Sequence, residues 1–204
     1  MGLLKGNPSI TRYRILDALP SDYTPDFIGE RLRKHSFVEI DSSADESSVG
    51  WVELFNEFST RFPLEYYSFA SNYSFTMRVD SRKLSTKILS RYYNIRESLF
   101  MEKNGRKPNS RKKKEMKETL KVELLRRTLL TTDLYEVVWF VKNSEVWLFA
   151  TGEKLRSSFE DLFGASFNLN MRLLVPISLG LELSGDDERA ELMRLAPSIL
   201  SMEE

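Results

Sequence analysis

Three groups of side chains in this 204-residue sequence have the types and spacing to do chemistry. The first is acidic. Asp186, Asp187, Glu188 and Glu191 crowd one stretch, and Asp41, Asp45 and Glu46 crowd a Ser-rich one. Paired carboxylates can hold Mg²⁺ for phosphodiester hydrolysis, so Asp186, Asp187 and Glu188 define a metal-dependent nuclease as the weaker alternative. Both clusters lie in turn-like or amphipathic contexts without a partner motif, which is the pattern of solvated surface. The second is the single histidine, His35, at the end of a predicted helix. A histidine there caps or packs more readily than it catalyses, and one imidazole excludes a multi-histidine metal site. With no cysteine, disulfides, thiolate zinc sites, iron–sulfur clusters and Cys nucleophiles are excluded as well. Gly-rich phosphate loops, nucleophile elbows and metal-ligand spacings are absent from the sequence. The expectation is a protein that is not an enzyme and uses neither cofactor nor metal.

The third group is cationic and carries more information. Thirty Lys and Arg balance 30 Asp and Glu over the chain. From Met77 to Thr131, however, 17 Lys and Arg face six acids, leaving +11 there and −11 elsewhere. The densest part runs Lys103, Asn104, Gly105, Arg106, Lys107, Pro108 and then Arg111 to Lys114, followed by Lys117, Lys121, Arg126 and Arg127. Such blocks attract polyanions, because each cation that neutralises a phosphate releases a condensed counterion. Glu115, Glu118 and Glu123 are interspersed, so the solvated face of a long helix reads equally well from charge alone.

Hydrophobic periodicity indicates the elements that must position these residues. Ser9 to Leu16 alternates as a half-buried strand, and Tyr73 to Val79 does so with Ser74, Thr76 and Arg78 on its polar side. Thr24, Pro25 and Asp26 open a short helix that ends near Ser36. Phe37–Ile40 and Val49–Val52 read as short strands, with Gly50 a turn or bulge glycine, and 55–69 is left unassigned. From Ser81 to about Lys103 the spacing turns helical, with Leu84, Ile88, Tyr92, Ile95 and Leu99 as a packing stripe. A second helix covers about Ser110 to Leu130, with Met116, Leu120, Leu124 and Val122, Leu125, Leu129 as its apolar face. Together they predict an antiparallel helical hairpin over about 81–131 whose tip carries the charge.

Beyond it, Leu134–Val141 and Val146–Ala150 predict a β-hairpin with Trp139 and Trp147 in the sheet core. A helix from Thr151 is closed by Gly164, and Leu169–Ser178 is a last strand with Pro176 marking an edge or end. The fold class is α+β, with mixed or antiparallel sheets, packed helices and the long hairpin. The expected organisation is an N-terminal α+β part (1–80), the basic hairpin (81–131), a segment completing the core (132–180) and an acidic tail (181–204). The N-terminus lacks a signal-like apolar core and no run approaches a membrane span, so a cytoplasmic protein is expected.

The order of short motifs resembles the RdgC family of recombination-associated proteins. It runs from an Arg-rich first strand through Ser48, Val49, Gly50, Trp51, Val52 to Lys83, Leu84, Ser85 and Lys87, Ile88, Leu89. It continues with Asn104, Gly105, Arg106, Lys107, then Leu124, Leu125, Arg126, Arg127, then Val138, Trp139, Phe140, and closes on Leu174, Val175, Pro176, Ile177, Ser178. The resemblance spans about Ile10 to Leu179. It implies an α+β protomer that pairs with a second copy into a ring around duplex DNA, binds without sequence specificity and restrains RecA-type recombinase filaments. The family's Gly-Arg-Lys stretch falls on Gly105, Arg106 and Lys107, and the Arg of its Leu-Leu-Pro-Arg-Ala-Phe stretch on Arg127. Arg126 stands where the family has Pro, and Leu129 near its Phe.

Charge and resemblance converge on non-specific duplex DNA binding through Arg106, Lys107, Arg111, Lys112, Lys113, Lys114, Lys117, Lys121 and Arg127. The expected partners are double-stranded DNA and a second copy of the chain, with antagonism of a recombinase, in a nucleoid-associated cytoplasmic setting. The alternative is an interaction or self-assembly module whose basic hairpin docks an acidic partner.

Overall fold

The first strand, β1 (Thr11–Ile15), alternates as its sequence dictates, burying Thr11, Tyr13 and Ile15 and leaving Arg12 and Arg14 on the other face. The computed structural model describes residues 9–20, 23–185, 188, 189 and 194. Helix α1 (Pro25–Lys34) starts where Thr24 accepts a hydrogen bond from the Phe27 N–H and Pro25 presets the first turn. Strand β2 (Ser47–Val52), a short helix α2 (Leu64–Tyr67) and the two-residue β3 (Ser68–Phe69) lead to the long strand β4 (Asn72–Ser81). Helices α3 (Thr86–Asn104) and α4 (Ser110–Arg127) follow, then β5 (Thr131–Phe140), β6 (Glu145–Leu148), α5 (Glu153–Phe167), β7 (Met171–Leu173) and α6 (Pro176–Leu183).

All strands join one antiparallel sheet in the order β2-β4-β5-β6-β1-β7, with β3 against the other end of β4. Strands β4 and β5 pair along their whole length, from Asn72 opposite Phe140 to Ser81 opposite Thr131. The helical hairpin therefore replaces the turn of an ordinary β-hairpin and extends from the sheet's end.

One face of the sheet carries the core. Tyr13, Trp51, Phe75, Met77, Val137, Trp139, Val146 and Leu148 pack against Ile28 and Leu32 of α1 and Phe159, Phe163 and Phe167 of α5. Trp139 meets Phe163 and Phe167 edge-on at 5.4 and 5.2 Å, a geometry that suits the ring quadrupoles. The Trp51 indole N–H donates to Ser166 Oγ at 2.7 Å, so this buried polar atom is satisfied.

The opposite face of β4 is covered too. Ser74, Thr76, Arg78 and Asp80 are all buried, so the polar side of this strand faces protein and not water. Arg78 lies under the Phe37 ring at 4.2 Å and donates to the Glu57 carbonyl at 3.2 Å.

Several local expectations are corrected. Residues 37–40 form no strand: Ser36 makes a single parallel bridge to Trp51, because Arg82 holds the carbonyls of Ile40, Asp41 and Ser43 in a loop. Gly50 is a strand residue, and its bare Cα is required because a Cβ would lie 2.4 Å from the Phe37 Cα. Gly50→Ala is expected to cost about 1–3 kcal/mol as an overpacked backbone contact, read as a lowered urea midpoint with unchanged m-value. Gly164 does not close α5. The helix continues through Ser166 and Phe167, whose burial outweighs the glycine's weak propensity, and Asn168 takes the left-handed cap at φ 52°. Pro176 opens α6 at its first position, so the last strand stops at Leu173. Strand β4 runs to Ser81, and α3 begins only after Ser85.

Candidate nucleic-acid interface

The hairpin is built around a small core of its own. Tyr93 of α3 and Leu120 and Leu124 of α4 are buried together, with Leu84, Leu89 and Met116 against them. The face of α3 that meets α4 thus contains Leu89 and Tyr93, one residue away from the predicted stripe. Ile88, Tyr92, Ile95 and Leu99 turn outward, each about half exposed. Val122 and Leu129 are exposed as well, Leu129 at 89%.

The turn between the helices is set by two local devices. Gly105 takes the left-handed conformation at φ 63° and its N–H caps Met101 O, a geometry that costs glycine little. Asn109 caps α4 by accepting from the Lys112 N–H at 2.8 Å. The exposed Arg106 and Lys107 lie on this connection, and Arg111 to Lys114 on the first turns of α4. That first turn holds no acid. A helix N-terminus already carries about +0.5 of an elementary charge, so cations there oppose the helix dipole and create an anion-attracting tip.

The nine candidate cations are not equivalent. Lys112 pairs with Glu115 at 2.7 Å, Lys113 with Glu97 at 3.0 Å and Lys114 with Glu118 at 4.0 Å. Lys121 pairs with Glu46, tying α4 to the loop before β2, and Lys117 lies 4.9 Å over the Tyr93 ring. Hydrogen bonding to Lys113 holds the Glu97 carboxyl below its ordinary value and the Lys113 ammonium above its own. This link between α3 and α4 is complete above the ordinary carboxylate range and is lost as pH falls through the lowered value of Glu97. By contrast Lys103, Arg106, Lys107, Arg111, Arg126 and Arg127 make no ion pair among the described residues.

Position divides them further. Arg106 to Lys114 gather at the tip, and Lys117 and Lys121 lie along the shaft. Arg127 ends α4 at the sheet, about 24 Å from Arg111 by helix rise, where it also suits the negative end of the helix dipole. Lys103 joins the tip group from α3; its signal is its position immediately before the Asn104-Gly105 break. Of the acidic alternative, Asp186 and Asp187 lie outside the described residues.

A family model described as "Putative exonuclease, RdgC" matches residues 9–171, from the start of β1 through the hairpin to the first residue of β7. The chain belongs to the RdgC family. At the level of that family it is a recombination-related DNA-binding protein. The RdgC match contains every candidate cation named above, so the basic hairpin is part of the family's shared region. A comparison with curated proteins gave no match. No helix among the described residues of this RdgC-family chain is long and apolar enough to cross a membrane.

Proposed function

We propose that this RdgC-family chain binds duplex DNA without reading its sequence, and modulates recombination by occupying DNA and limiting recombinase filaments. The binding is non-enzymatic and nucleoid-associated within the cytoplasm. The observation that carries the reading is the hairpin tip, where Arg106, Lys107 and Arg111 are exposed, make no ion pair among the described residues and border the N-terminus of α4. Phosphate contacts of this kind fix position without sequence information. The internal pairs of Lys112, Lys113 and Lys114 do not oppose it, since exposed pairs contribute only about 0.2–1 kcal/mol and exchange for phosphate.

The test is fluorescence anisotropy of two unrelated labelled duplexes at low and physiological salt. Equal affinity is expected for both, with log affinity falling by about 0.9 per phosphate neutralised for each tenfold rise in salt. Lys112, Lys113 and Lys114 changed together to Glu should weaken binding in a chain with native circular dichroism; undiminished affinity in that folded variant would reject their assignment. Incubating end-labelled duplex with Mg²⁺ tests the nuclease alternative, and the appearance of shortened product would replace the non-enzymatic reading.

A second observation favours self-association. Ile88, Tyr92, Ile95 and Leu99 are spaced four, three and four along α3, the seam spacing of a coiled coil, and all are exposed. We infer a homodimer that uses this stripe. The reading of the hairpin as a module for an acidic protein partner is separated by mass photometry with and without duplex. A DNA-dependent shift supports DNA binding, and an unchanged distribution supports the protein-partner reading.

A further inference from the structure

The segment between β2 and α2 is held in a conformation that costs energy, and it displays two aromatic rings to solvent. Phe62 lies in the left-handed region at φ 49°, where a bulky side chain is an outlier. Such strain persists only where the surroundings over-determine it, and here they do. The Phe62 ring is buried and its N–H donates to the Glu53 carboxylate at 3.1 Å. Glu53, itself buried, also accepts from Ser59 Oγ, and its N–H donates to the Ser59 carbonyl at 3.0 Å. Arg33 of α1 donates to the carbonyls of Arg61 and Phe62 at 3.4 and 3.3 Å. Asn56 turns the chain, accepting from the Phe58 N–H through Oδ1 and from the Ser59 N–H through its carbonyl.

What this frame presents is apolar and rimmed by acid. Phe55 and Phe58 are 66% and 75% exposed. Aromatic rings left in water on a fixed loop have the character of interface anchors. The Phe58 ring centroid lies 5.8 Å from the buried Arg78 guanidinium, and Glu39 and Glu57 flank the same guanidinium. Asp80 already holds that cation at 2.8 Å, so the exposed Glu39 and the half-buried Glu57 leave an acidic edge beside Phe58. The arm exposes the opposite combination. Ile88 and Tyr92 stand one turn apart on α3, each about half exposed, and are flanked by the exposed Lys87 and Arg91. Lys87 and Arg91 make no ion pair among the described residues. The exposure of both surfaces shows that they do not cover each other within one copy.

We propose that the 53–62 loop of one copy docks the outward face of α3 of a second copy, with Phe55 and Phe58 against Ile88 and Tyr92. Glu39 and Glu57 then face Lys87 and Arg91 of that copy. The proposal rests on the homodimer reading above and says what the α3 stripe packs on: the partner's loop instead of its own twin. Charge complementarity selects this occupant, because rings edged by carboxylates meet apolar side chains edged by cations, and opposite potentials across an interface fix its register. An apolar centre inside a charged rim is also the usual anatomy of such contacts. Each copy brings one loop and one arm, so about a two-fold axis the contact is made twice. Each contact then needs to bury only about 600–1,000 Å² for the pair to reach the roughly 1,200–2,000 Å² of a stable interface. The basic tip stays free, since Gly105 lies about 20 Å beyond Tyr92 by helix rise.

Sedimentation velocity of the full chain without DNA, over a range of protein concentrations, tests the contact. The parent should dimerise. Phe55→Ser with Phe58→Ser, at exposed positions, removes four anchoring rings per dimer and should raise the dimer Kd about 10²–10³-fold. Charge reversal gives the selective readout. Glu39→Lys with Glu57→Lys in one variant, and Lys87→Glu with Arg91→Glu in another, should each weaken self-association. Their equimolar mixture should recover the dimer, because both contacts of the mixed pair then match opposite charges. If Glu39→Lys disturbs Arg78, Phe58→Ser alone carries the test of the loop. A dimer that weakens in Ile88→Ser with Tyr92→Ser but keeps the parent's affinity in the phenylalanine variant would overturn this contact and leave a homodimer that packs stripe on stripe. A mixture of the folded charge variants that stays monomeric would overturn it too. A parent that stays monomeric up to its solubility limit would overturn both the contact and the homodimer reading, with the hairpin's DNA reading untouched.

Discussion

Changing Arg106, Lys107 and Arg111 together to Glu is expected to weaken duplex binding by about 10²–10³-fold near 0.1 M salt and to lower the salt slope by about 2.7. Each phosphate contact multiplies the affinity by roughly the inverse 0.9 power of salt concentration, about eightfold near 0.1 M. Three such contacts give the stated range. The tip trio should exceed the Lys112, Lys113 and Lys114 trio because of where the carboxylates lie. Those lysines already hold Glu115, Glu97 and Glu118. A phosphate that takes them leaves three carboxylates behind, and the net gain shrinks. Arg106, Lys107 and Arg111 have no such competitor within ion-pair distance among the described residues. Anisotropy on both trios, with circular dichroism as the control for folding, ranks them. Equal losses would mean that charge density alone matters, and a tip variant that binds like the parent would remove the tip from the interface.

The same contrast explains what was legible in the sequence and what was not. A charge count located the +11 segment, and helical spacing with the Asn104-Gly105 break located the hairpin, because caps and turns are local. Which lysines are paired depends on how α3 sits against α4, and Glu97 and Lys113 come together only through that packing. The apolar stripe of α3 failed for a related reason. Leu84, Ile88, Tyr92, Ile95 and Leu99 form the more regular series, yet Tyr93 meets Leu120 and Leu124 while most of the regular series faces outward. A helix with two apolar faces cannot tell from its period alone which one its neighbour takes. Trp147 shows the limit for strands. It belongs to a β-rich run with Trp139, but the register with β1 puts the two indoles on opposite faces, one at 1% exposure and one half-buried. Local rules also failed where burial outweighed them, as at Gly164, which the helix passes to reach Phe167.

The largest effect on stability is expected at a pair that contributes no charge to the basic surface. Asp80 is 1% exposed and holds Arg78 in a two-pronged contact, Oδ1 to Nε at 3.0 Å and Oδ2 to Nη2 at 2.8 Å. A guanidinium cannot shed its proton to escape burial, and the hydrogen bonding to Asp80 raises the Arg78 pKa further. Asp80→Ala therefore leaves a buried cation with the Glu57 carbonyl and the exposed Glu39, 3.6 Å away. Breaking a buried pair this way costs about 3–5 kcal/mol, and Glu39 places the expected value toward the lower end. Replacing both partners by apolar residues, as in Arg78→Met with Asp80→Leu, should recover most of the loss, because desolvation of two charges is then avoided. A urea-unfolding double-mutant cycle measures the coupling; single and double variants of equal stability would show that the pair does not hold this face. The pair lies one residue from Ser81, where β4 meets Thr131 and the hairpin begins. Arg82, next in line, clamps the Ile40–Ser43 loop. Loss of Asp80 should thus loosen the foot of the arm without altering its tip charges. DNA affinity per folded molecule should stay near that of the parent while the folded fraction falls, which separates the fold's support of the hairpin from the hairpin's own contacts with phosphate.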